Sequence, residues 1–183
     1  PESIGISQME VQVSQEGSPT LEVKLNQSSQ VGVQGKNLWS IKGGDSSSDP
    51  WVGRVGSVGS GFVAFDSYEN AARAADRVLL AYQTRHDVSG SGGEYVTIGD
   101  IASNPKHSYL DSRVDDVSRW VMTVSKVSGF RPEERIDLRD SRQAARLLRG
   151  IAFQEHSAEV SVESLEEVIT HYRVVRNIPS NEQ

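Results

Sequence analysis

At 183 residues the chain has the length of one ordinary domain, and hydrophobic residues at 36% suffice for a single modest core. A formal net charge of −6, with Lys and Arg scattered along the chain, excludes a binder of nucleic-acid backbones, which needs a clustered basic face. The absence of cysteine excludes disulfides, zinc–thiolate sites and thiol catalysis.

Residues 1–35 predict an N-terminal arm. Met9, Val11 and Val13 alternate with polar residues, as do Leu21, Val23 and Leu25, and EGSPT lies between them. That is the period-two pattern of two strands joined by a turn. An isolated hairpin is marginal in water, so this one is expected to lean on the domain or on a partner chain. The stretch NQSSQVGVQG then has the composition of a linker. The N-terminus PESIGISQME lacks the basic start and apolar stretch of a signal peptide, which gives an expectation of synthesis in the cytoplasm. No apolar run approaches the roughly 20 residues that span a bilayer, so no membrane span is expected.

Residues 36–176 predict a mainly helical domain, with 177–183 as a C-terminal tail. GFVAF (61–65) has the character of a short strand, and Asp66-Ser67-Tyr68-Glu69 resembles a capping box. The helix after it, 68–85, places Ala71, Ala75, Val78, Leu79 and Tyr82 on one face. VSGSGGE (88–94) is expected to be a flexible loop. A second helix is predicted from Asp111 or Ser112 to a cap at Gly129, with Val114, Val117, Trp120, Val121 and Val124 inward. A third runs from Asp140-Ser141 to about Gln154, burying Ala144, Leu147, Leu148 and Ile151 and leaving Arg142, Arg146 and Arg149 as a solvated stripe. A fourth starts near Ser161 and buries Leu165, Val168, Ile169 and Tyr172.

The candidate motifs differ in weight. GSVGSG (56–61) precedes a strand, whereas a dinucleotide fingerprint follows one and opens a helix; these glycines predict a turn. His86, His107, His156 and His171 show no metal-ligand spacing, and no metal or cofactor is expected. No G-x-S-x-G elbow supports a serine nucleophile. Glu155 follows the apolar end of a helix, LLRGIAFQ, and precedes a break at His156-Ser157-Ala158. A carboxyl held there against Phe153 and its neighbours is partly desolvated, which raises its pKa and lets it serve as a general acid. The same position also suits an ordinary solvated glutamate.

The order of short motifs resembles a family of small tailed-phage virion structural proteins with a lysozyme-like domain. In that family N-P-G-N-I-R is followed by W-x-G, F-V-x-F-D-S-P-E-x-G-x-R-A, L-L-x-Y-Q, D-L-R-D-P and a helix closing on E-N-G or E-S-G. Here the series is Asn37 with Ile41-Lys42, then Trp51-Val52-Gly53, then Phe62 to Glu69 with Arg73-Ala74. Leu79 to Gln83 and Asp137-Leu138-Arg139-Asp140 follow, and the helix ends at Glu155, so the series covers roughly residues 37–168. Asn37-Leu38-Trp39-Ser40-Ile41-Lys42 is also similar to the N-L-F-G-I-K string of flagellar-type glucosaminidases, where it follows the catalytic glutamate segment. A circularly permuted order would reconcile the two.

The resemblance implies a virion protein made in the host cytoplasm and anchored to other virion proteins through its arm. It also implies residual peptidoglycan cleavage during genome entry, with Glu155 as general acid and Asn37 and Trp39 on a sugar-facing wall, while Gly43-Gly44 turns away. Two departures fall on that groove. Leu38 and Trp39 replace Pro and Gly, and Glu155-His156-Ser157 lacks the triplet's glycine. An active peptidoglycan-cleaving glycosidase or lytic transglycosylase, and a purely structural cement or assembly protein, therefore stand beside the lead reading.

Overall fold

The computed structural model describes residues 8–11, 17–26, 33, 35–43, 51–59, 61–87, 89–110 and 115–177, with the backbone alone at 8–11 and 176–177. Val13, Gly44, Asp111, Ser112, Val114, most of the expected linker and the tail from 178 lie outside the described residues. The described chain holds five helices and two small antiparallel sheets, about 46% helix and 13% strand. Helix therefore outweighs strand, but strands contribute to the core. Among the described residues no helix is long and apolar enough to cross a membrane.

The first sheet has the order β1-β2-β5, formed by β1 (Gln8–Val11), β2 (Glu22–Leu25) and β5 (Glu159–Val160). Val11 lies opposite Glu22, and Val23 lies opposite Val160. The alternation seen in the sequence fixes which face turns inward: Val23 and Leu25 are buried while Glu22 and Lys24 are exposed. Leu21, Val23 and Leu25 join the same core cluster as the helices. The second strand of the expected arm is thus built into the domain. The Glu22 N–H donates to Ser164 Oγ at 3.1 Å, and the Ser161 N–H donates to the Glu22 carbonyl at 3.1 Å.

The second sheet pairs β3 (Arg54–Val58) with β4 (Phe62–Phe65), Val58 opposite Phe62. The strand β3 corrects the reading of GSVGSG as a turn throughout. Only Gly59 and Gly61 adopt positive φ, and the first half of the motif pairs as strand. Just before it, Gly53 at φ 81 packs so closely on the next helix entry that a Cβ would lie 2.4 Å from Asn70 Nδ2. Its carbonyl accepts from the Asp66 N–H at 2.8 Å.

The helices are α1 (Tyr68–Thr84), α2 (Ile98–Ala102), α3 (Val117–Ser128), α4 (Ser141–His156) and α5 (Val162–Asn177). Ser67 caps α1 by accepting from the Asn70 N–H, Asp116 caps α3 and Asp140 caps α4, each satisfying N–H groups that the first turn leaves open. Helix α3 starts later than the sequence pattern suggests, and Gly129 ends it at φ 80 as expected. The short helix α2 is capped by Thr97 and escaped the sequence reading. The expected flexible loop before it is organised by Asp87, whose carboxylate accepts from Ser89, Gly92 and Gly93 N–H groups.

Two contacts set the frame around the candidate site. Gly150 of α4 lies against α3, where a Cβ would meet the Val124 carbonyl oxygen at 2.9 Å, so only glycine allows this close approach. A polar knot then ties α1, α5 and the entry to α4. Gln83, fully buried, donates to Gly93 O and Asp137 Oδ1, both at 2.9 Å, and accepts from the Leu138 N–H at 2.7 Å. Arg173 pairs with Asp76 at 2.8 Å and donates to the Leu138 and Arg139 carbonyls. Of the expected arginine stripe, Arg142 pairs with Glu166 at 3.1 Å on the surface, while Arg146 lies over the Phe130 ring at 3.8 Å.

Candidate functional site

A cleft of about 420 Å³ opens between the N-terminal end of α3 and the C-terminal end of α4. Asp115, Asp116, Arg119, Trp120 and Thr123 form one wall; Phe153, Gln154, Glu155 and Ser157 form the other. The geometry follows from the local sequence. Trp120 and Val124, one turn apart, are the buried stripe of α3, and Gly150 lets α4 approach that stripe. Helix α4 runs through His156, two residues beyond the sequence estimate, and stops at Ser157 with φ 53. Glu155 thereby sits in the last turn of α4, facing Trp120 across the cleft.

That position is electrostatically unfavourable for an anion. The C-terminal turn of a helix carries the negative end of its dipole. Burial is the main force on the Glu155 carboxyl, the negative charge of Asp115 adds to it, and together they raise its pKa from 4.5 to about 7. The Trp120 indole and the Lys42 ammonium oppose the rise. The indole N–H favours the ionised carboxylate but is itself buried with no partner at normal hydrogen-bond geometry. The carboxyl therefore keeps its proton to well above the ordinary glutamate range.

Tyr109 stands behind the cleft. Its hydroxyl donates to the Trp39 carbonyl, and its ring lies 5.7 Å from Trp120 and 6.4 Å from Tyr82. Burial, with the Glu155 charge second, pushes the phenol well above its usual range, so it stays a proton donor.

The segment 36–42 reaches this site, but with different side chains from those expected. Trp39 is fully buried and donates its indole N–H to the Leu148 carbonyl at 2.9 Å. Asn37 is buried and its amide is spent on the backbone: it donates to the Ile41 and Val63 carbonyls and accepts from the Ile41 N–H, all at 2.9 Å. Neither side chain can face a sugar. They hold the loop that brings Lys42 toward Glu155. Ser40, at φ 51, places its hydroxyl 3.5 Å from His156 Nε2. Burial holds His156 below the ordinary histidine range, against the pull of the Asn37 carbonyl facing its ring.

Of the residues singled out in the sequence, Glu155 lines the cleft, while Lys42, Asp115 and Tyr109, which act on its surroundings, are brought there by the tertiary fold. No protein-family model matches the chain, and no curated protein matches it in sequence.

Proposed function

We propose that the chain is a tailed-phage-type virion protein whose permuted, lysozyme-like domain binds and cleaves peptidoglycan glycan strands, with Glu155 as general acid. The observation that carries this reading is a glutamate lining a cleft, desolvated enough to hold a proton near neutral pH. In the reaction the Glu155 carboxyl gives its proton to the glycosidic oxygen as the bond to the anomeric carbon breaks. The Asp115 carboxylate stabilises the positive charge developing on the sugar. Water then adds to the anomeric carbon while giving a proton back to the ionised Glu155, which completes the hydrolysis. Phe153, 36% exposed at the rim, offers an apolar face to a sugar ring, and Arg119, Thr123 and Gln154 offer hydrogen bonds to its hydroxyls.

The missing glycine of the family triplet does not remove the turn. Ser157 adopts the left-handed conformation instead, at a cost of roughly 1–2 kcal/mol. The ordered motifs that carry the resemblance also act together: Gly53 packs on Asp66 and Asn70, and Gln83 binds the Asp137-Leu138 backbone and side chain. With β2 committed to the domain, anchoring to neighbouring virion proteins falls to the outer edge of β1, where an edge strand can accept a partner strand.

The test uses the full chain on purified cell-wall sacculi, with soluble glycan fragments measured by chromatography. The wild type should release fragments, and Glu155→Gln should lower the rate by about 10²–10⁴-fold. Equal rates for the two proteins would remove Glu155 from the mechanism. No release from any sacculus would leave a purely structural protein. Proteomics of purified particles tests the virion assignment, with the chain expected among the particle proteins.

A further inference from the structure

A second concavity, of about 350 Å³, lies along the C-terminal half of α1, and its chemistry is the reverse of the first. Among the described residues, Arg77, Arg85, His86 and His107 line it together with Trp51 and Tyr82, and no carboxylate does. In a chain of net charge −6 that grouping is unexpected from composition. It is also built with care. His86 and His107 are 21 positions apart, yet their rings stack with centroids 3.8 Å apart. Asn104, 3% exposed, locks the pair: its amide donates to the His86 carbonyl, and its oxygen accepts from the Lys106 and His107 N–H groups. Arg77 lies over the Trp51 ring at 5.9 Å, and the Tyr82 ring meets His86 edge-on at 6.2 Å.

We propose that this pocket is a binding site for a phosphate-ester anion. Arginine guanidinium groups and imidazolium N–H groups are the donors that phosphate oxygens accept most strongly. Two histidines face to face cannot both carry charge cheaply unless an anion lies between or beside them, so anion binding and histidine protonation support each other. Burial, followed by the charges of His107 and Arg85, holds the empty His86 below its ordinary range. Among the described residues, the groups around the pair are Arg77, Arg85, Tyr82 and the neighbouring Lys106. Asp87, the nearest acid in sequence, turns its carboxylate into the Ser89–Gly93 loop instead.

The C-terminal turn of α1 carries the negative end of its dipole and opposes an anion, so the arginine and imidazole charges must carry the binding. The Ala81 carbonyl already accepts from the Arg85 and His86 N–H groups at 2.8 Å, and Leu80 accepts from Thr84 Oγ at 3.0 Å. The Trp51 ring flanking Arg77 adds an apolar face beside the anion, as a sugar phosphate requires. Through Tyr82 and Tyr109 the pocket is joined to Trp120 by a chain of ring contacts, which places it beside the Glu155 cleft. The assignment does not depend on glycan cleavage there.

The test follows the imidazole signals of the full chain by NMR while inorganic phosphate is added. Millimolar binding would appear as a saturable shift at about 10 mM phosphate, while chloride at equal ionic strength should leave the signals in place. Affinity should rise as pH falls from about 8 to about 6, because the complex takes up a proton on His86, which burial holds low in the free protein. Arg85→Gln, at an exposed position, should weaken binding by about tenfold or more through loss of a charge-assisted hydrogen bond. Arg77→Gln should do the same. Competition by methyl phosphate alone identifies a monoester ligand; equal competition by dimethyl phosphate identifies a diester, as in a phosphate-linked polymer. Shifts equal to those with chloride, or binding untouched by both arginine variants, would overturn the assignment.

Discussion

The knot around Gln83 and the cleft around Glu155 place similar polar groups in opposite circumstances. In the knot, every buried donor and acceptor of Gln83 is matched, and the Arg173–Asp76 pair adds two backbone carbonyls as acceptors. Arg139, the strongest influence on Asp137, holds that carboxyl down at about 2. In the cleft, a carboxyl is raised to about 7 and an indole N–H lacks a partner. Matched polar groups fix a fold, because breaking them strands a buried charge. Mismatched ones cost stability and hold a proton ready for transfer. The first region holds the domain together, and the second holds a carboxyl whose pKa burial raises to about 7.

Substitutions that break one region and relieve the other sharpen this contrast. Arg173→Ala should cost the most, about 3–5 kcal/mol, since it removes the cation paired at 2.8 Å with the buried Asp76. Urea unfolding of the variant and its parent measures it.

Glu155→Gln should have the opposite sign and depend on pH. A carboxyl whose midpoint rises from 4.5 to about 7 on folding contributes stability below pH 4.5 and loses it as pH climbs through 7. Glutamine does not titrate. The variant should therefore match the wild type under acid conditions and exceed it above neutrality, by up to about 3 kcal/mol. Unfolding curves across that pH range will show whether the gap opens.

The smallest effect belongs to Trp120→Phe, which keeps an aromatic core residue and removes the unpartnered N–H. It should cost about 1 kcal/mol. The Glu155 midpoint should move upward, because the indole favours the ionised form. A downward movement would show that the indole acts otherwise.

Much of the frame was legible in the sequence. The four long helices follow from apolar spacing and capping residues, and Gly129 marks the end of α3 where the pattern stops. Leu21, Val23 and Leu25 announced a strand, but nothing local says whether such a strand pairs with its own domain. Its partner, β5, is two residues long and lies far along the chain. The strand β3 was hidden by Gly56, which weakens strand propensity without preventing pairing. In the candidate site, Glu155 was legible from its place at the apolar end of a helix. Asn37 and Trp39 were not: residue type suggested a sugar wall, whereas Trp39 turns inward to a carbonyl 109 positions away. The stacked histidines likewise depend on Asn104, whose role appears only in three dimensions.

The measurement that bears most directly on the Glu155 site is the titration of its side-chain carboxyl by carbon-13 NMR in the full chain, with Glu155→Gln identifying the signal. A midpoint near 7 is expected, with a coupled perturbation of the Tyr109 ring as the charge appears. A midpoint at the ordinary glutamate value of about 4.3 would mean a solvated side chain with no proton to give at neutral pH, and would contradict its role as general acid.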